Sequence, residues 1–263
     1  MDKPTLCLLV VAMAAPCITG AKLVKGQQSV PRPTMTTEGL ISDKLWPGGV
    51  VPFVFSKAYS REDQARQLVL KAMAGFENST CIRFVPRTTE KDFVIINSGI
   101  MKSCSAYIGN QHLGSQQILL NPASCFPNGN IGVAQHQLMH TLGFGHEQSR
   151  SDRDQFVDIN WSNVAQANDS FPLSTEDTTF GEPYDFDSIM HAGMFENAID
   201  KSIWTVRPKE KYRDKVIGQS IQLSGTDIRK INKMYKCPGH ALPVPVTTAD
   251  TKPDLLRKTR NSA

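Results

Sequence analysis

The order of apolar and polar residues divides the first half of the chain into short strands around one helix. The run Val50–Phe55 is apolar and short, which is typical of a buried strand. Apolar side chains then recur at helical spacing, and a serine with an acidic residue three positions later resembles a capping box. The helical positions are Leu68, Ala72 and Phe76, and the capping pair is Ser60 and Asp63. Further strands are predicted at residues 80–86, 93–96, 104–108 and 116–120.

The second half of the chain has fewer regular patterns. Residues 129–134 lead into a short helix, and residues 156–161 read as an extended segment. Four apolar residues near the end share one face of a last helix, which is predicted to end at Cys237. These residues are Ile228, Ile231, Met234 and Tyr235. The chain is therefore predicted to combine helices and strands.

Three histidines in the middle of the chain have the spacing of a metal site. His136 and His140 are four residues apart, so on a helix both imidazoles lie on one face, one turn from each other. Gly143 can adopt the left-handed conformation that ends a helix and turns the chain back. His146 then approaches the other two rings from a different direction. Three neutral imidazoles arranged in this way suit Zn²⁺, with a fourth position left to water.

The residue after the first histidine departs from what zinc peptidases need. In the motif H-E-x-x-H the glutamate is the general base that accepts a proton from water. This chain has Gln137 at that position. A carboxamide holds water by hydrogen bonds but does not accept a proton near neutral pH. The sequence therefore predicts a complete metal site without its usual base.

A longer stretch around these histidines resembles a known family. Residues 135–154 read Q-H-Q-L-M-H-T-L-G-F-G-H-E-Q-S-R-S-D-R-D. This is similar to the signature H-E-x-x-H-x-x-G-F-x-H-E-x-x-R-x-D-R-D of the astacin family, a branch of the metzincins, and departs from it only at Gln137. Residues 45–53 and 223–237 resemble the opening and the end of the family's catalytic domain. The resemblance runs from Leu45 to Cys237, within a predicted domain of residues 44–237.

The resemblance implies an α+β, metzincin-like fold of two subdomains. It comprises a mixed N-terminal sheet, a zinc-binding helix, a methionine-containing turn called the Met-turn, and a C-terminal helix. An edge strand of the sheet lines the substrate cleft and pairs with a bound peptide, and such main-chain pairing gives affinity with little demand on sequence. The implied ligand is an extended peptide or an extracellular protein, and the implied cofactor is Zn²⁺ held by His136, His140 and His146.

Residues 184–192, Y-D-F-D-S-I-M-H-A, resemble the family's Met-turn. The resemblance places Met190 beneath the three histidines as an apolar floor and makes His191 structural rather than a ligand. Ala192 stands where the family has a tyrosine, whose phenol stabilises the charged oxygen of the transition state. A second catalytic group is therefore absent. In the family, the residue at the position of Glu147 anchors the mature N-terminus.

Cysteine usage and the first residues indicate secretion. Lys3 precedes a short apolar run, residues 6–15, followed by small residues, which is typical of a signal peptide over residues 1–21 and too short to cross a membrane. Four cysteines remain, and an even number in a secreted chain implies two disulfides, for which the sequence allows three pairings. The resemblance implies the pairs Cys81–Cys237 and Cys104–Cys125. The mature protein is expected to be extracellular and monomeric.

The segments that flank the predicted domain are polar. Residues 22–43 read as a short pro-segment or linker, and they lack the F-x-G-D motif by which an aspartate keeps the family's zinc latent. Glu38 and Asp43 are interpreted as acidic residues of a linker, and a degenerate stand-in for this aspartate is the alternative. Residues 238–263 are rich in proline, threonine and lysine and are predicted to be disordered. Asn78 and Asn168 begin glycosylation sequons.

Charge excludes one class of partner. The formal net charge of the whole chain is +4, and the excess lies at the two ends, whereas residues 44–237 are nearly balanced. The sequence has no basic patch interleaved with aromatic residues, which is the pattern expected of a nucleic-acid-binding protein. No other apolar run is long enough to span a membrane.

Three functional hypotheses follow from the absence of the glutamate base at Gln137 and of the tyrosine at Ala192. The first is a secreted, zinc-loaded pseudoenzyme that binds peptides or proteins without efficient cleavage. The second is an active zinc endopeptidase with unusual or residual chemistry, in which another acid such as Glu147 replaces the base. The third is a metal-free structural module in which the histidines are relics. Because neither Gln137 nor Ala192 belongs to the three-histidine set, zinc binding is expected to persist.

Overall fold

A computed structural model describes residues 43–59, 63–98, 103–165, 170–174 and 178–239. The expectations for the signal peptide, for Glu38, for Ser60 as a cap, for Asn168 and for residues 240–263 lie outside the described residues. Asn78 is described and is exposed.

Five strands form a mixed sheet. They are β1 (Val50–Phe55), β2 (Arg83–Pro86), β3 (Phe93–Asn97), β4 (Cys104–Ala106) and β5 (Ser115–Leu120), in the order β2-β1-β3-β5-β4. The strands β2, β1, β3 and β5 pair in parallel, whereas β4 pairs antiparallel with β5. The predicted mixed sheet with an edge strand is confirmed, and β4 is that strand.

Two predicted strands are shorter than expected, each for a local reason. In the segment 80–86, β2 begins only at Arg83, because the Thr80 hydroxyl donates to the carbonyl of Phe76 at 2.7 Å and extends the end of the preceding helix. In the segment 104–108, β4 ends at Ala106. The chain then turns towards the metal-binding helix, where the amide of Gly109 donates to the carbonyl of His140 at 2.9 Å.

The helix α1 (Asp63–Glu77) packs against this sheet. The predicted positions Ala72 and Phe76 are fully buried, and Leu68 is partly buried at the edge of the same core. A short helix α2 (Pro122–Cys125) and the helix α3 (Gly132–Thr141) follow the sheet. One apolar cluster joins α1, α3 and the inner faces of the strands, so the metal-binding helix rests on a packed core.

The last helix, α4 (Gly225–Met234), returns to this core. Ser224 and Asp227 form a capping box at its start. Of the predicted apolar face, Ile231 and Met234 are buried and Ile228 and Tyr235 are partly buried. The helix ends at Met234 and not at Cys237 as predicted, because Tyr235 already leaves the helical conformation.

Two disulfides fasten the domain. Cys81 is joined to Cys237 across a sequence separation of 156 residues, and Cys104 is joined to Cys125 across 21 residues. These are the pairs that the family resemblance implied. The first connects the segment before β2 to the segment after α4, and the second connects the edge strand β4 to α2 just before the metal-binding helix.

A smaller second cluster forms the other half of the domain. Its strands β6 (Val157–Ile159) and β7 (Val206–Pro208) pair antiparallel. The predicted extended segment 156–161 is a strand only over three residues, because Trp161–Asn163 turns as a 3₁₀ helix. Buried apolar residues of this cluster are Val157, Val164, Phe171, Tyr184, Phe186, Val206 and Ile217. Within the described ranges, no helix has both the length and the apolar character needed to cross a membrane.

Candidate metal centre

Three histidine rings converge at the end of α3. One ring nitrogen from each of His136, His140 and His146 lies within 4.8 Å of the other two, and the ring centroids are 4.7–5.3 Å apart. The chain reverses at Gly143, whose φ of 110° suits glycine and whose amide donates to the carbonyl of His140 at 2.8 Å. A Cβ there would lie 2.7 Å from Cε of Met234, the end of a flexible side chain, so the positive φ is the main reason for glycine.

Backbone carbonyls orient two of the rings. The Nδ1 atom of His136 donates to the carbonyl of Ile189 at 2.7 Å, and the Nδ1 atom of His140 donates to the carbonyl of Phe144 at 2.8 Å. Since a carbonyl only accepts, the proton of each neutral ring is on Nδ1. The lone pair of each Nε2 is then available to a metal, and such second partners are typical of ligating histidines.

The surroundings keep the three rings neutral. Burial lowers the pKa of His136, and it lowers the pKa of His140 to about 3 with a further contribution from the two neighbouring histidines. Burial also lowers the pKa of His146 to about 4, again reinforced by His136. Neutral imidazole is the form that coordinates metals. Three neutral nitrogen donors, two of them with fixed tautomers, fit zinc.

The Met-turn, which follows the three histidines in the chain, is hydrogen-bonded to α4. The carboxylate of Asp227 accepts from the Ser188 hydroxyl at 2.6 Å and from the Ile189 amide at 2.9 Å, in addition to its capping bond with the Ser224 amide. Asp227 takes part in the capping box of α4 and also holds the Met-turn. The carbonyl of Ile189 in this turn orients His136. This role of Asp227 was not predicted, although the pattern S-x-x-D at residues 224–227 is visible in the sequence.

Met190 and His191 both lie in this turn. Met190 is buried in the main core cluster, and its placement beneath the three rings stays a prediction. The Nε2 atom of His191 accepts from the Tyr184 hydroxyl at 2.8 Å, and its Nδ1 donates to the carbonyl of Ala192 at 2.9 Å. Burial lowers the pKa of His191 to about 4. With both ring nitrogens engaged, His191 has no free lone pair for a metal.

Glu147 is buried away from the cleft. One carboxylate oxygen is 2.5 Å from Lys230 Nζ, and the other accepts from Arg150 at 3.0 Å and from the Asp185 amide at 2.9 Å. The resemblance assigns to Glu147 the anchoring of a mature N-terminus, and here its cationic partners are Lys230 and Arg150. Since both oxygens are engaged, the hypothesis that Glu147 replaces the missing base finds no geometric basis.

A cleft with a volume of about 350 Å³ opens beside the histidines. The side chain of Gln137 lines it, and the residue is only 7% exposed. Its Oε1 atom is buried and has no hydrogen-bond partner among the described residues. An unpartnered buried acceptor is uncommon, and its place beside three metal-type histidines fits a site that holds a further group.

Small residues form part of the cleft lining. Ala192 lines the cleft with no more than a methyl group, and its amide donates to the side chain of Gln148 at 2.9 Å. Gly193 and Gly218 continue this lining, and their backbones approach closely. Cys104, the first residue of the edge strand β4, also lines the cleft, so β4 starts at its rim.

Two further acidic residues have clear positions. Asp43, a candidate latch in the sequence, is exposed, and its carbonyl accepts from the His112 ring, but it does not line the cleft. Glu196, which sequence analysis missed, does line the cleft. It lies in a segment that follows the Met-turn and matches none of the motifs, so no sequence signal pointed to it.

Comparison with known proteins agrees with this geometry. The sequence model of the family Astacin (Peptidase family M12A) matches residues 40–236. High choriolytic enzyme 2 of Oryzias latipes is 39% identical over 191 residues, which are 72% of this chain and 64% of that protein. Zinc metalloproteinase nas-14 of Caenorhabditis elegans is 36% identical over 200 residues, 74% of this chain and 38% of that protein. The chain spans less than two thirds of the length of these relatives.

A solved structure gives the same result. High choriolytic enzyme 1, a hatching enzyme zinc-protease from Oryzias latipes, superposes with a TM-score of 0.67 at 36% identity, covering 74% of this chain and 96% of that chain. The match to the family extends over most of the present chain and includes all three histidines. With its α+β fold and its zinc-type histidine set, the chain belongs to the astacin family of zinc metallopeptidases.

Proposed function

We propose that this protein is a secreted zinc-binding astacin domain that holds extended peptides or extracellular proteins and cleaves them poorly or not at all. The observation that carries this proposal is the carboxamide of Gln137, which lines the cleft beside the three histidines with an unpartnered Oε1 atom. Two disulfides and the signal-peptide pattern of residues 1–21 support secretion.

The proposed loss of activity rests first on proton transfer. Zinc, when bound by His136, His140 and His146, supplies a Lewis acid that activates water and polarises a carbonyl. The Gln137 amide can orient a donor through its Oε1 atom but cannot take up a proton near neutral pH. Removing a general base typically reduces the rate by a factor of roughly 10²–10⁴.

The second missing group is a donor for the developing oxyanion. Ala192 offers only a methyl group to the cleft. Tyr184, a neighbouring phenol, donates its hydroxyl proton to His191 and is buried, and this burial raises its pKa. It is therefore no substitute. Loss of one such donor costs a factor of roughly 10²–10³. The two effects on the rate are not independent. We therefore expect the rate to fall by a factor near the lower end of the product of the two ranges.

Peptide binding does not need either missing group. The edge strand β4 has one neighbour in the sheet, β5, and it begins at the rim of the cleft. An extended peptide can pair with its free edge through main-chain hydrogen bonds. The neutral, oriented histidines favour zinc retention over the hypothesis of a metal-free module.

The alternative is an active zinc-dependent endopeptidase of extracellular proteins. It requires another proton acceptor in the cleft. With Glu147 engaged by Lys230 and Arg150, Glu196 is the one carboxylate among the described residues that line the cleft. This observation keeps the alternative testable.

The deciding experiment measures zinc per chain and peptidase turnover on the purified secreted protein. The wild type is compared with the double variant Gln137→Glu, Ala192→Tyr, and a triple variant that adds His140→Ala controls for contaminating peptidases. We expect one zinc per chain, no wild-type turnover and turnover in the double variant. Wild-type turnover that chelator abolishes and zinc restores would overturn the proposal.

A further inference from the structure

The cleft beside the histidines has a single carboxylate among the described residues that line it, and this carboxylate belongs to Glu196. Apart from the histidines, the other lining side chains are apolar or uncharged. A ligand bound in the cleft therefore meets one acidic side chain besides the metal centre.

The Glu196 carboxylate has no ion-pair partner among the described residues. Two buried acidic residues of the domain are paired: Glu182 contacts Arg229 and Lys233, and Glu147 contacts Arg150 and Lys230. Glu196 itself is exposed. A carboxylate without a cation, at the rim of a cleft, is free to pair with a charge on a ligand.

The backbone that carries Glu196 is fixed in place. Its amide donates to the carbonyl of Gly193 at 3.1 Å, and its carbonyl accepts from the hydroxyl of buried Thr205 at 2.7 Å. The side chain thus starts from a defined point, and only its own torsions have to be ordered when a ligand binds. This reduces the entropic cost of forming a pair at Glu196.

Glu196 also shares its cleft with the metal centre, because His136 and His146 line the same cleft. Ala192, Gly193 and Gly218 also line this cleft, and their small size leaves room for an incoming side chain. A ligand side chain bound in the cleft can therefore reach the carboxylate.

We propose that Glu196 is a specificity residue that binds a lysine or arginine side chain of the peptide held in the cleft. This inference rests on the proposed peptide-binding function and names its ligand class: extended segments with a cationic residue close to the metal centre. Because Glu196 is exposed, the pair is screened by salt and contributes modestly. We expect a cationic residue to tighten binding about three- to tenfold at low ionic strength.

The test uses the zinc-loaded full chain and fluorescent peptides. A short neutral peptide receives a single lysine at each position in turn, and matched sets carry norleucine or glutamate instead. Dissociation constants are measured by anisotropy. One lysine position is expected to bind about three- to tenfold more tightly than its norleucine match, and Glu196→Gln should abolish this preference. Glu196→Lys should shift the preference to glutamate.

Controls separate this inference from a general loss of charge or of fold. Glu210 is exposed and does not line the cleft, so Glu210→Gln removes the same charge and should keep the lysine preference. Zinc content shows that each variant retains its site. Equal binding of all three peptide sets would overturn the inference and leave peptide binding intact. Equal weakening of all peptides by Glu196→Gln would also overturn it. If no peptide binds the zinc-loaded wild type, the proposed function and this inference both fail.

Discussion

The ammonium of Lys230 lies 2.5 Å from the carboxylate of Glu147, the residue that follows the third histidine of the metal site. Both side chains are buried, and Arg150 holds the other carboxylate oxygen. The pair connects α4 to the segment that brings His146 into the site. Stability of the domain and positioning of the third histidine therefore depend on the same contact.

Removing this ammonium should destabilise the domain strongly. The variant Lys230→Met leaves one oxygen of a buried carboxylate without its cation, and breaking a buried pair in this way costs about 3 kcal/mol or more. Urea unfolding of the metal-free protein measures the change. Lys215, which is exposed, provides the control Lys215→Met, with an expected change within about 0.5 kcal/mol. Equal stability of the two variants would contradict the importance of the buried pair.

Asp227 should influence zinc affinity although it is not a ligand. The variant Asp227→Ala removes the acceptor of Ser188 and Ile189, and thereby loosens the loop whose carbonyl orients His136. We expect zinc affinity to fall about 10- to 100-fold, as for other partners of ligating residues. Competition with a chromogenic chelator measures it. The control Ser224→Ala weakens the same cap, costing about 1 kcal/mol of stability, and should change zinc affinity much less.

The metal-free protein should lose stability as the pH falls. Burial lowers the folded-state pKa values of His146 and His191 to about 4, whereas the unfolded chain titrates near 6.5. Between these values the unfolded chain binds more protons, so the stabilisation is complete above pH about 6.5 and is lost as the pH falls towards about 4. His191 alone contributes on the order of 3 kcal/mol to this loss.

Denaturant unfolding at a series of pH values between 7 and 4.5, with chelator present, measures this dependence. The variant His191→Gln keeps a neutral polar group beside Tyr184, and its stability should fall less steeply with acidification. A wild-type stability that stays constant over this pH range would contradict the prediction.

The close approach of Gly193 and Gly218 should make the latter intolerant of substitution. A Cβ at Gly218 would lie 2.3 Å from the Cα atom of Gly193, and φ at Gly218 is +81°. Gly129 has a similar φ of +76° but nothing within 4 Å of its Cβ position. The variant Gly129→Ala thus measures the backbone cost alone, about 1 kcal/mol. Gly218→Ala should cost at least about 1–3 kcal/mol more by thermal or urea unfolding.

The metal centre was the most predictable part of the molecule because its geometry is local. A spacing of four residues on a helix and a glycine turn bring His136, His140 and His146 together with little help from distant parts of the chain. The strand β1 and the burial of Ala72 and Phe76 were likewise visible in short-range patterns. Gln137 was recognisable from its neighbours alone.

The features that sequence analysis missed depend on contacts across long distances in the chain. The strand β7 has three residues and is defined by its pairing with β6, about 50 residues earlier. The roles of Lys230 and Asp227 follow from packing of α4 against the turn and the third histidine. Glu196 becomes part of the cleft only once the two clusters are assembled.

The disulfide between Cys81 and Cys237 makes the chain between them a covalent ring, and all three histidines lie within it. A single cut in the backbone of this ring opens a loop but releases no fragment. The two parts of a nicked molecule therefore stay covalently joined until a reductant is added, and the metal ligands stay on one connected species. Because of this ring, one backbone cleavage between the two cysteines does not separate the parts of the domain.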